Sequence, residues 1–167
     1  MAKISAYTEE VDPNPDSMVI IAYGGANFRV KLSNVPAKAW TSFTPTLTGV
    51  TIGGGTLAGS YVQIGKTIHF RASLTLSTTT ITGAVSFSLP VTAAAAVNST
   101  PVGLSRMIDA NGSQYIGAIV ATSTTTVQVR ALNAASTYLL ENPLSSTVPF
   151  TWADGDVISI EGTYEAA

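Results

Sequence analysis

The sequence predicts an all-β protein, namely an antiparallel, jelly-roll-like β-sandwich preceded by an N-terminal β-hairpin arm. The first observation is strict alternation of apolar and polar residues from Thr67 to Leu76, as in a half-buried antiparallel strand. The second is the regular spacing of short apolar runs between turn residues, which is typical of sandwiches and jelly rolls. The third is that no segment keeps a 3.6-residue apolar period over three turns.

The N-terminal part is predicted to be an arm. The apolar run Met18 to Tyr23, a Gly-Gly turn and the alternating run Asn27 to Leu32 indicate a β-hairpin. An isolated hairpin is marginally stable in water, so we expect this one to need a packing partner. A domain boundary near the following proline divides the chain into an attachment arm of residues 1–38 and a β-sandwich domain of residues 39–167.

The sandwich domain is predicted to contain short strands separated by turns. The predicted strands are Phe43–Thr51, Thr56–Ile64, Thr67–Ser77, Ala84–Leu89, Pro101–Ile108, Ser113–Thr122, Thr125–Leu132 and Val157–Tyr164. Gly65-Lys66 and Asn111-Gly112 mark hairpin turns, because Gly and Asn tolerate the left-handed conformations that such turns require. Residues 93–97 are too few for an independent helix and predict either a helical turn or an irregular crossover.

The surface is predicted to be polar but weakly charged. Only 11% of residues are charged and the net charge is −2, whereas about 25% of residues are charged in an ordinary soluble domain. Such a surface protects poorly against association, so the composition favours an oligomer or a lattice component. A monomeric sandwich with a Ser/Thr-rich surface is the alternative.

Composition also excludes several partners and sites. The basic residues are few and scattered and the pI is about 5.2, which argues against nucleic-acid binding. The absence of cysteine removes disulfides and thiolate ligands. The N-terminus lacks the apolar core of a signal peptide, and the apolar runs are too short for membrane insertion. We therefore expect synthesis in the cytoplasm and no cofactor.

No catalytic motif is present, so we expect the protein not to be an enzyme. His69 is the only histidine and falls on the polar face of its strand, where a surface or subunit-contact role is expected. The triplet Gly65-Lys66-Thr67 lacks the earlier glycine and the following helix of a phosphate-binding loop. Asp154 and Asp156 are expected to lie in a solvated turn rather than to bind a metal, which needs several converging oxygens.

Three aromatic residues near turns, Tyr115, Tyr138 and Trp152, are candidate glycan contacts. Carbohydrate sites use exposed aromatic platforms with polar neighbours, and each of these residues has polar residues close by in the chain. The alternative is that they belong to the core or to a subunit interface.

The segment from Trp40 to Leu76 resembles a recurrent module of tailed-bacteriophage virion proteins. It contains the entry WTSFTPTL, a Gly-rich turn and GSYVQIGKTIHF, which follow the patterns W-x-x-[FY]-T-P-T-L and G-x-Y-x-x-I-G-K-x-I-x-F. The chain end ISIEGTYEAA resembles the closing strand of the module. The N-terminus is similar to an attachment segment of such proteins, although Tyr7 and Val35 replace the usual leucines.

This resemblance implies a virion structural protein, often a homotrimer, on the particle exterior. Residues 1–38 would attach it to other virion proteins, in the capsid or the tail, and the β domain would point outward. The role would be capsid decoration or head fibre, or a short tail fibre that binds a host surface glycan. The family has no agreed catalytic residues. A carbohydrate-binding or carbohydrate-active accessory domain is the alternative function, and the polar face of Thr67–Thr75 is where we expect a subunit contact.

Overall fold

The computed structural model describes residues 18–23, 26–31 and 39–167 apart from residue 79. The chain divides into two units, residues 1–38 and 39–167. In the first unit, β1 (Met18–Tyr23) pairs antiparallel with β2 (Ala26–Lys31), which confirms the two predicted hairpin strands. The predicted Gly24-Gly25 turn and the segment that links the units lie outside the described residues.

The second unit is a single antiparallel sheet of ten strands around one apolar core. The strands are β3 (Thr41–Phe43), β4 (Leu47–Thr51), β5 (Thr56–Ile64), β6 (Thr67–Thr75), β7 (Thr80–Ser88), β8 (Pro101–Ile108), β9 (Gln114–Ala121), β10 (Thr126–Asn133), β11 (Leu140–Pro143) and β12 (Val157–Glu165). Their order across the sheet is β3-β5-β6-β12-β8-β9-β10-β7-β4, and β11 pairs with β10. The predicted all-β class is confirmed, and a curled antiparallel sheet agrees with the sandwich and jelly-roll prediction.

The core lies on the inner face of the curled sheet. Side chains from both halves of the strand order form one buried cluster, which requires the sheet to fold over on itself. The largest fully buried apolar residues are Phe87, Ile68, Leu74, Leu76, Met107, Ile119, Leu144 and Ile158. The alternation predicted for β6 is confirmed, because Ile68, Phe70, Ala72 and Leu74 are all buried. Each large apolar side chain buried in this way contributes about 1.5–3 kcal/mol.

The last strand, β12, joins the two halves of the sheet. It pairs with β6 over its whole length and with β8 from Val157 to Gly162. Gly162 allows this close packing, since a Cβ there would lie 2.5 Å from the carbonyl oxygen of Val102 and 3.0 Å from the Phe70 ring. The C-terminal strand is therefore a central strand of the sheet.

The predicted strand Phe43–Thr51 is wrong in its extent. The structure divides it into β3, which pairs with β5, and β4, which pairs with β7 at the other end of the strand order. Between them lies the buried Pro45, which has no N–H for a sheet ladder. Thr46 N donates to Ser88 Oγ instead (2.8 Å), and this bond leads the chain into β4.

Three smaller differences concern element bounds. Strand β7 begins at Thr80, earlier than the predicted Ala84, and the four-residue strand β11 was not predicted. Within residues 93–97 a 3₁₀ turn spans Ala95–Val97, so the helical-turn alternative is correct. The Asn111-Gly112 turn joins β8 to β9 as predicted, with Gly112 at a φ of 122°.

Tyr164 fixes the end of β12 to the loop that follows β7. Its hydroxyl donates to the carbonyl oxygen of Val91 (2.7 Å) and accepts from the Val91 N–H (3.2 Å). Its ring packs edge-on against Phe70, with 5.5 Å between the ring centroids. Burial, which disfavours the phenolate, raises the pKa of Tyr164 to about 12 from its ordinary value of 10.0.

This raised pKa predicts a loss of stability at high pH. The unfolded chain releases the Tyr164 proton near pH 10, whereas the folded chain retains it until about pH 12. The free energy of unfolding should therefore contain a contribution that is complete below pH 10 and falls by about 2–3 kcal/mol as the pH rises to 12. Urea denaturation from pH 9 to 12 measures this fall.

The matched controls are Tyr164→Phe and Tyr138→Phe. Tyr164→Phe removes the hydroxyl and should lose less stability between pH 10 and 12 than the wild type does. Tyr138 is 80% exposed, so Tyr138→Phe should follow the wild-type curve. Equal pH dependence in all three proteins would contradict the assignment.

Candidate functional site

The outer face of the sheet is formed by the outward-pointing residues of β5, β6, β12, β8, β9 and β10. Strand register places these residues in rows that cross the sheet, one residue from each strand. One row runs from β5 to β10 through Ser60, Arg71, Glu161, Leu104, Ala118 and Arg130. Only part of this row is charged, in agreement with the weakly charged surface that the composition predicts.

Three exposed apolar side chains, Leu104, Ile116 and Leu132, form what we call the apolar ridge of the outer face. They lie on the adjacent strands β8, β9 and β10, and Leu104 and Ile116 are 57% and 64% exposed. In β8 the usual pattern is inverted, because Leu104 points outward while its neighbour Ser105 is only 3% exposed. The inward Ser105 hydroxyl is directed at the carbonyl oxygens of Ala118 and Arg130, at 3.4 and 3.5 Å.

Beside the ridge, a hollow of about 420 Å³ indents the outer face over β5, β6 and β12. Its side chains are mostly small, namely those of Ala58, Ser60, Ser73 and Ser159, and Arg71 and Glu161 also line it. The Ser73 and Ser159 hydroxyls lie 3.3 Å apart across its floor. A larger depression of about 680 Å³ continues toward Trp40, His69 and Leu104.

Arg71 is already engaged at the edge of the hollow. Its Nε donates to Ser60 Oγ (3.1 Å), and its guanidinium carbon lies 4.8 Å from the centroid of the Trp40 ring, a cation–π distance. Glu161, opposite Arg71 in the register, forms no ion pair with another residue of the described ranges. The outer face therefore keeps a carboxylate that is available to a partner.

His69 lies on this outer face, as its place on the polar side of the strand predicts. Its Nδ1 is 2.9 Å from the Thr163 hydroxyl on the neighbouring strand β12. The contact is one between surface side chains, and it positions the imidazole at the wall of the larger depression.

The candidate glycan contacts are only partly brought together. Tyr115 stacks on Phe150 (5.3 Å between centroids), and Phe150 packs against Trp152 (4.4 Å). The Trp152 indole N–H donates to the carbonyl oxygens of Ser145 and Val148, so this group is used by the fold. Tyr138 stands apart from the cluster, in the exposed loop between β10 and β11.

A cavity of about 270 Å³ adjoins the aromatic cluster. Its lining includes the Tyr115 ring, the amide side chains of Asn133 and Asn142, and the apolar Leu132 and Pro149. An aromatic surface beside amide groups can bind the apolar face and the hydroxyls of a sugar. Sequence reasoning missed both asparagines, since nothing in the chain order indicates that β10 and β11 place them beside Tyr115.

The solvated turn expected at Asp154-Gly155-Asp156 is wrong for Asp156, which is fully buried. Its carboxylate accepts from the Ala110 N–H (2.9 Å) and the Ala153 N–H (2.6 Å). Its carbonyl oxygen accepts from the Leu76 N–H (2.8 Å) at the end of β6. Asp156 thereby ties three segments together, whereas the exposed Asp154 accepts one bond, from the Thr78 N–H (2.5 Å).

Within the described ranges, no group of three or more His, Cys, Asp or Glu side chains is placed to hold a metal ion. In the same part of the chain, no helix has the length and apolarity that crossing a membrane requires. No family model, curated protein or solved structure matches this chain.

The burial of Asp156 predicts a large difference between two neighbouring carboxylates. Asp156→Ala leaves two partly buried N–H groups without an acceptor, at a cost of about 1–3 kcal/mol for each. Asp154→Ala removes one exposed bond and should cost about 1 kcal/mol or less. Urea denaturation followed by tryptophan fluorescence measures both values, and equal losses would contradict the structural role of Asp156.

Proposed function

We propose that this chain is a non-enzymatic structural protein on the exterior of a bacteriophage particle. Its role is capsid decoration or head fibre, or a short tail fibre that binds a receptor. Residues 1–38 attach it to other virion proteins, and residues 39–167 form the outward-facing domain. The working form is a homotrimer.

The observation that carries the proposal is where the resembling segments lie in the sheet. The segment Trp40–Leu76 contains β3 to β6, and the C-terminal segment that resembles the closing strand contains β12. These segments are separated by more than half of the domain in sequence, yet β12 pairs with β6 along its full length. A module of entry strand, hairpin and closing strand is expected to form one continuous piece of sheet, and this arrangement supports the resemblance.

The surface of the domain also supports an assembly role. The outer sheet face presents Ser and Thr side chains around an exposed apolar ridge. A monomeric protein rarely keeps such a patch without a use for it, and exposed apolar patches commonly mark interaction sites. The low net charge of −2 weakens electrostatic repulsion between copies.

Incorporation into particles tests the proposal. A tagged full-length chain and a chain lacking residues 1–38 are each produced in host cells that assemble the particles, and purified particles are probed for the tag. We expect the full-length chain in the particles and the truncated chain, still folded by circular dichroism, in the soluble fraction.

The full-length variant Tyr138→Ala is the control, since it changes an exposed side chain of the outward domain and should still be incorporated. Failure of the full-length chain to enter particles would overturn the virion assignment. Entry of both chains would overturn the assignment of residues 1–38 as the anchor.

A carbohydrate-binding function is the second candidate, and the cavity beside Tyr115 favours it. Glycan-array binding by the purified chain tests it, with Asn142→Ala as the variant because this side chain lines the cavity. Binding should fall at least about tenfold, the effect of losing one hydrogen bond of about 1.4 kcal/mol. Asn98→Ala, at an exposed position away from the lining residues, should bind normally, and an array without signal would overturn this candidate.

A further inference from the structure

We propose that the outer sheet face is the contact between copies of this chain, with the apolar ridge of one copy seated in the hollow of the next. The ridge consists of Leu104, Ile116 and Leu132, and the hollow is the 420 Å³ indentation over β5, β6 and β12. The inference rests on the proposed function, which expects a homotrimer, and it assigns the surface that holds the trimer together.

The inverted pattern of β8 is the first argument. A strand that serves only a monomeric core places its apolar residues inward, yet β8 exposes Leu104 and buries Ser105. The inner position is restricted, because a Cβ on the neighbouring Gly117 would lie 2.5 Å from Ser105 Oγ. The outer position has no such restriction, so the exposed leucine is explained by a partner rather than by the fold.

The second argument is shape. The ridge and the hollow lie on the same face but on different strands, β8 to β10 for the ridge and β5, β6 and β12 for the hollow. Small side chains at Ala58, Ser73 and Ser159 leave space for a branched side chain from outside. A contact between two different patches of the same chain is heterologous, and such contacts close into rings.

The third argument is charge. Arg106 follows the ridge residue Leu104 on the outer face of β8, and Glu161 lines the hollow. Seating the ridge in a neighbouring hollow therefore brings Arg106 of one copy toward Glu161 of the next. These charges have opposite sign, and Glu161 has no ion pair within the described residues. The occupant that complements the hollow in both shape and charge is a second copy of this chain.

Native mass spectrometry of the purified full-length chain tests the inference. The wild type should have three times the 17.2 kDa chain mass, and Ile116→Lys should reduce this to the mass of one chain. Ile64→Lys is the matched control, because Ile64 is also an exposed isoleucine (61% against 64%) but lies at the tip of the β5–β6 hairpin. It should stay trimeric.

Cysteine cross-linking tests the same contact without weakening it. The chain contains no cysteine, so Leu104→Cys combined with Ser73→Cys introduces the only two thiols. Within one copy these positions are two strands apart, about 10 Å or more, which is too far for a disulfide. Oxidation should therefore give covalent dimers and trimers, whereas Ile64→Cys combined with Ser73→Cys should stay uncross-linked.

The outcomes separate this inference from the proposed function. A trimer that survives Ile116→Lys and does not cross-link through Leu104→Cys overturns the interface, while particle incorporation still supports the virion role. A monomeric wild type overturns the interface between copies and leaves the outer face to a different partner. If Ile116→Lys fails to fold, the cross-linking pair decides alone.

Discussion

The pairing of β12 between β6 and β8 is the interaction on which the rest of this domain depends. Strands β3, β5 and β6 lie on one side of β12, and β8, β9, β10, β7 and β4 lie on the other. The core contains side chains from both sides, so it is complete only when the last strand is in place. Because β12 ends at the penultimate residues of the domain, folding has to bring together parts of the chain that are distant in sequence.

Tyr164 and Asp156 secure the two ends of this central strand by different chemistry. At its C-terminal end, Tyr164 uses a buried hydroxyl to hold both polar groups of the Val91 backbone. Just before its N-terminal end, Asp156 uses a buried carboxylate to hold the loops at Ala110 and Ala153. Both residues supply hydrogen bonds to backbone groups that would otherwise be buried without partners, which is costly.

The sequence predicted the fold class and most strands because their alternation and turn residues are local signals. It failed at Pro45, where two strands with different partners are adjacent in the chain, since a pattern carries no information about partners. It could not place Asn142 beside Tyr115 for the same reason. The burial of Asp156 was equally hidden, because a turn carboxylate that holds backbone N–H groups has the same sequence context as a solvated one. What depends on long-range register is absent from local patterns.

The proposed interface also gives a physical reason for a weak N-terminal arm. A two-stranded hairpin such as β1–β2 is marginally stable by itself, so one arm is expected to bind its docking site weakly. Three arms joined through the outer sheet faces would bind as one multivalent unit, and linked weak contacts can gain about 10²–10⁴ in avidity. Attachment would then depend on assembly: a single copy would dissociate, and a trimer would stay. The exposed Leu104 and Ile116 would thus act on particle attachment through oligomerisation, without contacting the particle.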